Sequence, residues 1–167
     1  MWICCLLSHV AEAVPTLRDG GAWAKQGVVE RRFNETDGLA HHHATGLVQD
    51  RQGMIWVATW NGLSRYDGYS FVSFKPKSGD GCSVGVNRIK DFRIRDPYIY
   101  CNVEGSCVVF DIRTGQFDDC HLSWNRALRK WGFPEQGKRR LTTADGVEWA
   151  VDSLGVKMSY RKPCYAT

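Results

Sequence analysis

The stretch Gly53 to Phe71, GMIWVATWNGLSRYDGYSF, decides the fold together with the run TGLVQD that ends at Asp50 just before it. Its β-branched and aromatic residues suit a pleated, buried surface. We predict four strands in this region: Thr45 to Gln49, Met54 to Trp60, Leu63 to Tyr66 and Tyr69 to Phe74. Because short turn sequences separate them, the unit is expected to be an antiparallel meander.

Three turns are predicted between these strands. Asn61-Gly62 and Asp67-Gly68 tolerate positive φ angles, and they predict two-residue hairpin loops. The residues from Asp50 to Gly53 have the composition of a four-residue turn. In the strand MIWVATW both alternating sets of side chains are largely apolar, so both of its faces should be buried. A β-propeller blade, a small sheet packed between neighbouring sheets, satisfies this requirement.

The pattern QD-x-x-G-x-I-W, continued by T-x-x-G-L-x-R-Y-D-G-Y-x-F, resembles the two-component-regulator propeller repeat. This repeat occurs in the periplasmic sensor region of hybrid two-component systems of gut Bacteroidetes. The resemblance is strong over about Phe33 to Pro76 and includes the upstream phrase FNETDGLAHHHATGLVQD. The residues assigned to the structural repeat are Asp50, Gly53, Trp56, Thr59, Gly62, Leu63, Tyr66, Asp67 and Gly68.

Two further units follow with similar turn chemistry. Gly62 and Gly105 lie 43 residues apart, which is within the range of about 40 to 45 residues for a propeller blade. Gly155 follows 50 residues later, and Trp149 precedes it by six residues as Trp56 precedes Gly62. We therefore predict an all-β fold, an incomplete β-propeller of about three four-stranded antiparallel blades at residues 45–76, 88–121 and 139–167. A short helical insertion at about 123–133 is expected to pack its apolar side on the rim.

Residues 1–13 are interpreted as a signal-peptide remnant, because a short apolar run precedes the small-x-small sequence Ala11-Glu12-Ala13. A basic first region is missing, so an ordinary apolar strand remains the alternative. Residues 14–44 form a lead-in segment before the partial propeller at 45–167. Within it, Val28 to Phe33 suits a strand that either lies outermost on a last blade or leads into the first, and the sequence does not choose.

The chemistry of the sequence predicts no catalytic residue, no metal site and no cofactor, and it leaves the ligand-binding residues unknown. His41-His42-His43 contains three possible metal ligands. On an extended chain, however, His42 would face away from the other two. Aspartates in the turns are interpreted as caps of the turn backbone: Asp50, Asp67, Asp96, Asp145 and Asp152.

Tryptophans in the strands have two possible roles, in the core or in stacking on sugar rings. Core positions are favoured for Trp56 and Trp149, and Trp60 at a strand end is the least certain. Five cysteines follow the signal remnant: Cys82, Cys101, Cys107, Cys120 and Cys164. Buried thiols are favoured over a disulfide between Cys101 and Cys107.

The net charge of +4 is mild and scattered, so direct nucleic-acid binding is not expected. The resemblance implies the N-terminal part of a periplasmic sensor, the extracytoplasmic part of an inner-membrane receptor. In such receptors an oligosaccharide from polysaccharide breakdown is the typical signal, a homodimer carries it inward, and a cytoplasmic histidine kinase, receiver and DNA-binding domain continue the phosphorelay. No kinase activity is expected of this chain, and membrane anchoring would lie in downstream segments.

Two other classes remain open. One is a glycan-binding or protein-interaction propeller module, and the weaker one is a propeller-type polysaccharide lyase or glycosidase. We further expect the chain to be a fragment that neither binds a ligand nor stays soluble alone, because the third unit lacks an evident fourth strand. On that view the apolar residues Val147 to Val151 would meet water.

Overall fold

The computed structural model describes residues 27–76, 87–132 and 135–161. The described residues form three antiparallel sheets and one α-helix, which confirms the all-β prediction. The strands are β1 (Val28–Phe33), β2 (Ala44–Gln49), β3 (Ile55–Thr59), β4 (Gly62–Tyr66), β5 (Phe71–Phe74), β6 (Ile89–Arg95), β7 (Tyr98–Val103), β8 (Ser106–Asp111), β9 (Gln116–Ser123), β10 (Glu135–Gln136), β11 (Arg140–Thr142), β12 (Glu148–Asp152) and β13 (Gly155–Arg161). The predicted signal remnant at 1–13, Cys82, Cys164 and the last residues of the third unit lie outside the described residues.

The first sheet has the strand order β2-β3-β4-β5, the meander that the sequence predicted. Strand β3 is buried along its whole length. Its Trp56 and Ala58 pack toward the second sheet, whereas Ile55 and Val57 pack toward the third. The prediction that both faces of this strand are buried is therefore confirmed.

Both hairpin loops of the first sheet differ from the prediction. Thr59 pairs with Gly62, so the first loop is Trp60-Asn61 and Gly62 already belongs to β4. The Thr59 hydroxyl accepts a hydrogen bond from the backbone N–H of Asn61 and donates one to the Gly62 carbonyl, which fixes a register shifted by one residue from the prediction. The second loop has four residues, 67–70, because Tyr66 pairs with Phe71.

The second sheet has five strands, in the order β10-β6-β7-β8-β9. The fifth strand, β10, was not predicted; it adds two residues to the free edge of β6. The predicted helix is present as α1 (Trp124–Trp131), which ends at Gly132 in the left-handed region. Its Trp124 and Ala127 pack around Cys107, on the face of the sheet opposite the first sheet.

The third sheet has the order β1-β13-β12-β11, so the N-terminal strand β1 supplies its fourth strand. All six residues of β1 pair with β13, from Val28 opposite Arg161 to Phe33 opposite Val156. The expectation that the third unit lacks a fourth strand is thus wrong. The fourth strand comes from the N-terminal part of the chain. It could not be found among the residues that follow Tyr160, where the sequence pattern suggested looking.

The first and third sheets repeat one local geometry. In the first, the N–H of Asp50 donates to the carbonyl of Met54, and in the third Thr143 donates to Val147 in the same way. Gly62 and Gly155 both have positive φ, 106° and 127°. Phe74 of β5 pairs with Leu63, the residue after Gly62, just as Phe33 of β1 pairs with Val156, the residue after Gly155.

The first sheet lies between the other two. One cluster joins it to the second sheet around Trp56, Phe92 and Phe110, and another joins it to the third around Phe33, Val57 and Trp149. The third sheet therefore packs on the face of the first sheet opposite the second sheet, with β12 against β2. This arrangement buries Trp149 and Val151, which are 5% and 7% exposed, so the expectation that they meet water is also wrong.

Candidate functional site

A cleft of about 530 Å³ opens between the first and third sheets. It lies at the end of the first sheet where β3 begins and β4 ends, and the turn between β11 and β12 forms its opposite wall. Its lining combines aromatic, amide, hydroxyl and carboxylate groups with a few apolar side chains. The lining residues are Gln49, Gly53, Ile55, Tyr66, Asp67, Gly68, Thr143, Ala144, Asp145, Val147, Trp149, Met158 and Tyr160.

Two carboxylates line this cleft, Asp67 on the loop after β4 and Asp145 on the turn between β11 and β12. Asp67 accepts hydrogen bonds of 2.9 Å from the backbone N–H groups of Tyr69 and Ser70, and these bonds hold its pKa below the usual value. Asp145 accepts a hydrogen bond from the Thr143 hydroxyl, which lowers its pKa in the same way. Both groups are therefore ionised at neutral pH and can accept hydrogen bonds.

Aromatic side chains supply the apolar surface of the cleft. Tyr160 on β13 is 37% exposed, and Tyr69, next to the cleft on the loop after β4, is 90% exposed. Tyr66 is buried, its hydroxyl donates to the Gly68 carbonyl at 2.8 Å, and burial raises its pKa. Trp149 borders the cleft but is 5% exposed, so little of its side chain is open to a ligand.

The turn aspartates cap their turns as predicted at four positions, among them Asp145, whose carboxylate accepts from the backbone N–H of Val147. Asp50 accepts from the N–H groups of Gln52 and Met54, Asp67 accepts as described above, and Asp152 accepts from Leu154. Asp152 also forms an ion pair of 2.8 Å with Arg32 of β1, which links the third sheet to its added strand.

The three adjacent histidines lie at the opposite end of the first sheet from the cleft. The chain bends at His42 and is not extended there, so the rings of His41 and His42 stack with centroids 4.3 Å apart. The expectation that His42 faces away from His41 is therefore wrong. The ring of His43 instead stacks on that of Trp60, with the two ring centroids 3.6 Å apart.

Glu35 joins this histidine pair. Its Oε1 accepts from the backbone N–H of His42 at 2.7 Å and lies 2.6 Å from Nδ1 of the same residue. Desolvation opposes ionisation of Glu35, but its hydrogen bonds and the neighbouring His42 together outweigh it and lower its pKa to about 2. One ligand atom from each of Glu35, His41 and His42 lies within 4.8 Å of the other two, a grouping that sequence spacing did not show.

Trp60 is exposed in the loop after β3, but its ring is in contact with neighbours. His43 stacks on the ring, and the guanidinium carbon of Arg88 lies 4.4 Å from the ring centroid. A sugar would have to displace one of these groups in order to stack on Trp60.

The described cysteines Cys101, Cys107 and Cys120 are thiols, as favoured from the sequence. Cys120, not Cys101, lies beside Cys107, and its Sγ donates to the Cys107 carbonyl at 2.8 Å. Burial raises the pKa of the Cys107 thiol, so this sulfur is a small apolar group at neutral pH.

Comparison with known proteins yields one curated relative. The chain is 32% identical over 56 residues to Histidine kinase P4 of Formosa agariphila, a match that covers 34% of this chain and 4% of that protein. The chain is similar to two-component sensors. No protein-family profile matches it. A solved structure, the extracellular domain of a putative hybrid two component system from B. thetaiotaomicron, aligns with a TM-score of 0.47 and 16% identity over 79% of this chain and 20% of that one.

The predicted repeat residues divide between core and cleft. Trp56 and Leu63 are in the core and Thr59 closes a hairpin, whereas Gly53, Tyr66, Asp67 and Gly68 line the cleft. Sequence reasoning did not single out Thr143, Met158 and Tyr160 as cleft residues. For Thr143 the available signal was the repeat itself, because it occupies the turn position of Asp50. Among the described residues, no helix is long and apolar enough to span a membrane.

Proposed function

We propose that this chain is part of the periplasmic sensor region of a hybrid two-component system and that its three sheets are blades of an incomplete β-propeller. The observation that carries the proposal is the repeated unit: the same turn, buried tryptophan and positive-φ glycine recur in the first and third sheets. The match to a histidine kinase supports the assignment to two-component signalling. The chain itself contributes binding and not catalysis.

The proposed signal is an oligosaccharide derived from a polysaccharide. The cleft between the first and third sheets supports this choice, because ionised Asp67 and Asp145 accept hydrogen bonds from hydroxyls and Tyr160 offers a partly exposed ring. Sugar sites combine planar polar acceptors with apolar ring faces in this way. In the intact receptor a homodimer transmits binding to a cytoplasmic kinase and transcription regulator.

The test is calorimetry of the complete sensor region with a panel of oligosaccharides. One member of the panel should bind, and Tyr160→Ala should weaken that binding at least about tenfold, as expected for loss of a central aromatic contact. Tyr98→Ala removes a tyrosine from the second sheet, far from the cleft, and should leave the affinity within about twofold. Binding that ignores Tyr160→Ala, or that is absent for every sugar, would overturn the proposed site.

Two results would favour other classes. Cleavage of an oligosaccharide by the chain would indicate a lyase or glycosidase. Sugar affinity in the isolated chain would show that the cleft binds without the rest of a receptor and would favour a self-contained glycan-binding module.

A further inference from the structure

We propose that Glu35, His41 and His42 form a surface binding site for a divalent transition-metal ion such as Ni²⁺ or Zn²⁺. Imidazole nitrogen and carboxylate oxygen are the donors that such ions take in proteins, and three protein ligands leave a position for water. The three ligand atoms already lie within 4.8 Å of one another. The site is separate from the cleft and does not depend on the proposed sensory function.

The backbone around the cluster is held in place before any ion binds. Asn34 caps the 3-10 turn Glu35–Asp37, its side chain accepting from Thr36 while Asp37 accepts from the Asn34 N–H. Gly38 ends the turn in the left-handed region. Glu35 then reaches His42 through two contacts to the same carboxylate oxygen. Little of the chain therefore has to be ordered when a metal binds, which favours affinity.

The contacts within the cluster show which atoms an ion would take. Oε1 of Glu35 and Nδ1 of His42 lie 2.6 Å apart, and the ring of His41 stacks on that of His42. The ion would replace the proton between Nδ1 of His42 and Oε1 of Glu35, and one ring nitrogen of His41 would complete the set.

Some adjustment is required on binding. Ligand atoms about one zinc ion lie closer together than 4.8 Å, given bonds of roughly 2.0 to 2.2 Å, so the rings must rotate inward. Their exposure permits this, since the side chains of His42 and Glu35 are 51% and 46% exposed. Two features oppose metal binding. Nδ1 of His41 already accepts a hydrogen bond from the backbone N–H of His43. The positive charges of Arg88 and Lys75 also act on His41 and would repel a cation. A moderate affinity that falls at acid pH is expected.

Competition of the full chain with a chromophoric nickel indicator tests the proposal. The chain is used without a histidine tag, and Ni²⁺ is the probe because soft thiolates compete more strongly for zinc. Parent protein should bind one ion, and Glu35→Gln, His41→Asn and His42→Asn should each weaken binding about tenfold or more, as for removal of a metal-supporting group.

Two matched variants complete the test. His43→Asn removes the third histidine of the run, whose ring stacks on Trp60. His121→Asn removes an exposed histidine that pairs with Asp119 at 3.7 Å but has no second imidazole in its described contacts. Both should keep the parent affinity within about twofold. Equal losses of affinity in the His41, His42 and His43 variants would show only adventitious binding by a histidine run. The site would also be overturned if the parent protein melts cooperatively but binds no stoichiometric Ni²⁺.

Discussion

The indole Nε1–H of Trp56 donates a hydrogen bond of 2.8 Å to Oδ2 of Asp50. The other carboxylate oxygen of Asp50 accepts from the backbone N–H groups of Gln52 and Met54. A single side chain thus closes the turn before β3 and satisfies the polar atom of the largest fully buried residue. This relationship gives a physical reason for the spacing of Asp and Trp in the repeat motif.

Asp50→Ala should lower the free energy of unfolding by about 3 kcal/mol, because it leaves the indole N–H of Trp56 and two turn N–H groups without their acceptor. Asp50→Asn keeps one carbonyl acceptor and should cost less than half as much. Chemical denaturation followed by tryptophan fluorescence measures both. Equal stability of parent and Asp50→Ala would show that water replaces the carboxylate without loss.

Gly62→Ala should destabilise the first sheet by about 3 kcal/mol or more, since a Cβ there would lie 2.3 Å from the Phe74 carbonyl oxygen at a φ of 106°. Gly68 is the matched control. Its φ is 103°, but a Cβ would meet nothing within 4 Å. Gly68→Ala should therefore show backbone strain alone, about 1 to 2 kcal/mol. Thermal or chemical melts that rank the two variants in the opposite order would contradict this assignment.

Phe33→Ala should cost about 3 to 5 kcal/mol, because Phe33 is 1% exposed and packs on Tyr66, Phe71 and Trp149. Val28→Ala changes the opposite end of the same strand, where the side chain is 38% exposed, and should cost under about 1 kcal/mol. Denaturant titration measures the difference. A small effect of Phe33→Ala would mean that β1 is not the fourth strand of the third sheet in solution.

The fold should lose stability as the pH falls from 7.5 to 5.5. Desolvation and neighbouring positive charges lower the pKa of both His41 and His43 below the usual 6.5. Above pH 6.5 both rings are neutral in the folded and unfolded chains, and their contribution to the free energy of unfolding is fully present. As the pH falls below 6.5, the histidines of the unfolded chain bind protons before those of the folded chain. The free energy of unfolding therefore decreases until the pH reaches the lowered pKa values of the folded state.

Melting temperatures at the two pH values check this prediction. The double variant His41→Asn/His43→Asn should show a smaller decrease on acidification than the parent. His121→Asn is the control and should behave as the parent does. An identical decrease in all three proteins would assign the pH dependence to other groups.

Local sequence was sufficient for the first sheet and for most of the second. Alternating apolar residues in MIWVATW set the two buried faces of β3, and the turn residues at Asp50 to Gly53 set the position where it begins. The first hairpin loop was misplaced by one residue because a side chain, the Thr59 hydroxyl, selects the register. The second was misplaced because Asp67 accepts from the backbone N–H groups of Tyr69 and Ser70, which supports a four-residue loop. The strand β10 was missed because two residues carry no periodic signal.

The two candidate sites were harder to predict because each depends on contacts that local sequence patterns do not show. The cleft combines Asp67 of one sheet with Asp145 and Tyr160 of another, and no sequence spacing links them. In the histidine run, alternation on an extended strand was the wrong premise, because the bend at His42 and the Glu35 contact bring two rings together.

The sequence by itself determined the all-β class, the repeated turn-tryptophan-glycine unit, the helix after β9 and the resemblance to two-component sensors, because each rests on contacts within a few tens of residues. Only the tertiary structure decided that β1 completes the third sheet and that this sheet packs against the first. That choice depends on pairing Val28–Phe33 with Gly155–Arg161, where Phe33 fills the core beside Trp149. Backbone edges pair with any free strand, so the partner is set by which long-range packing buries the most apolar surface.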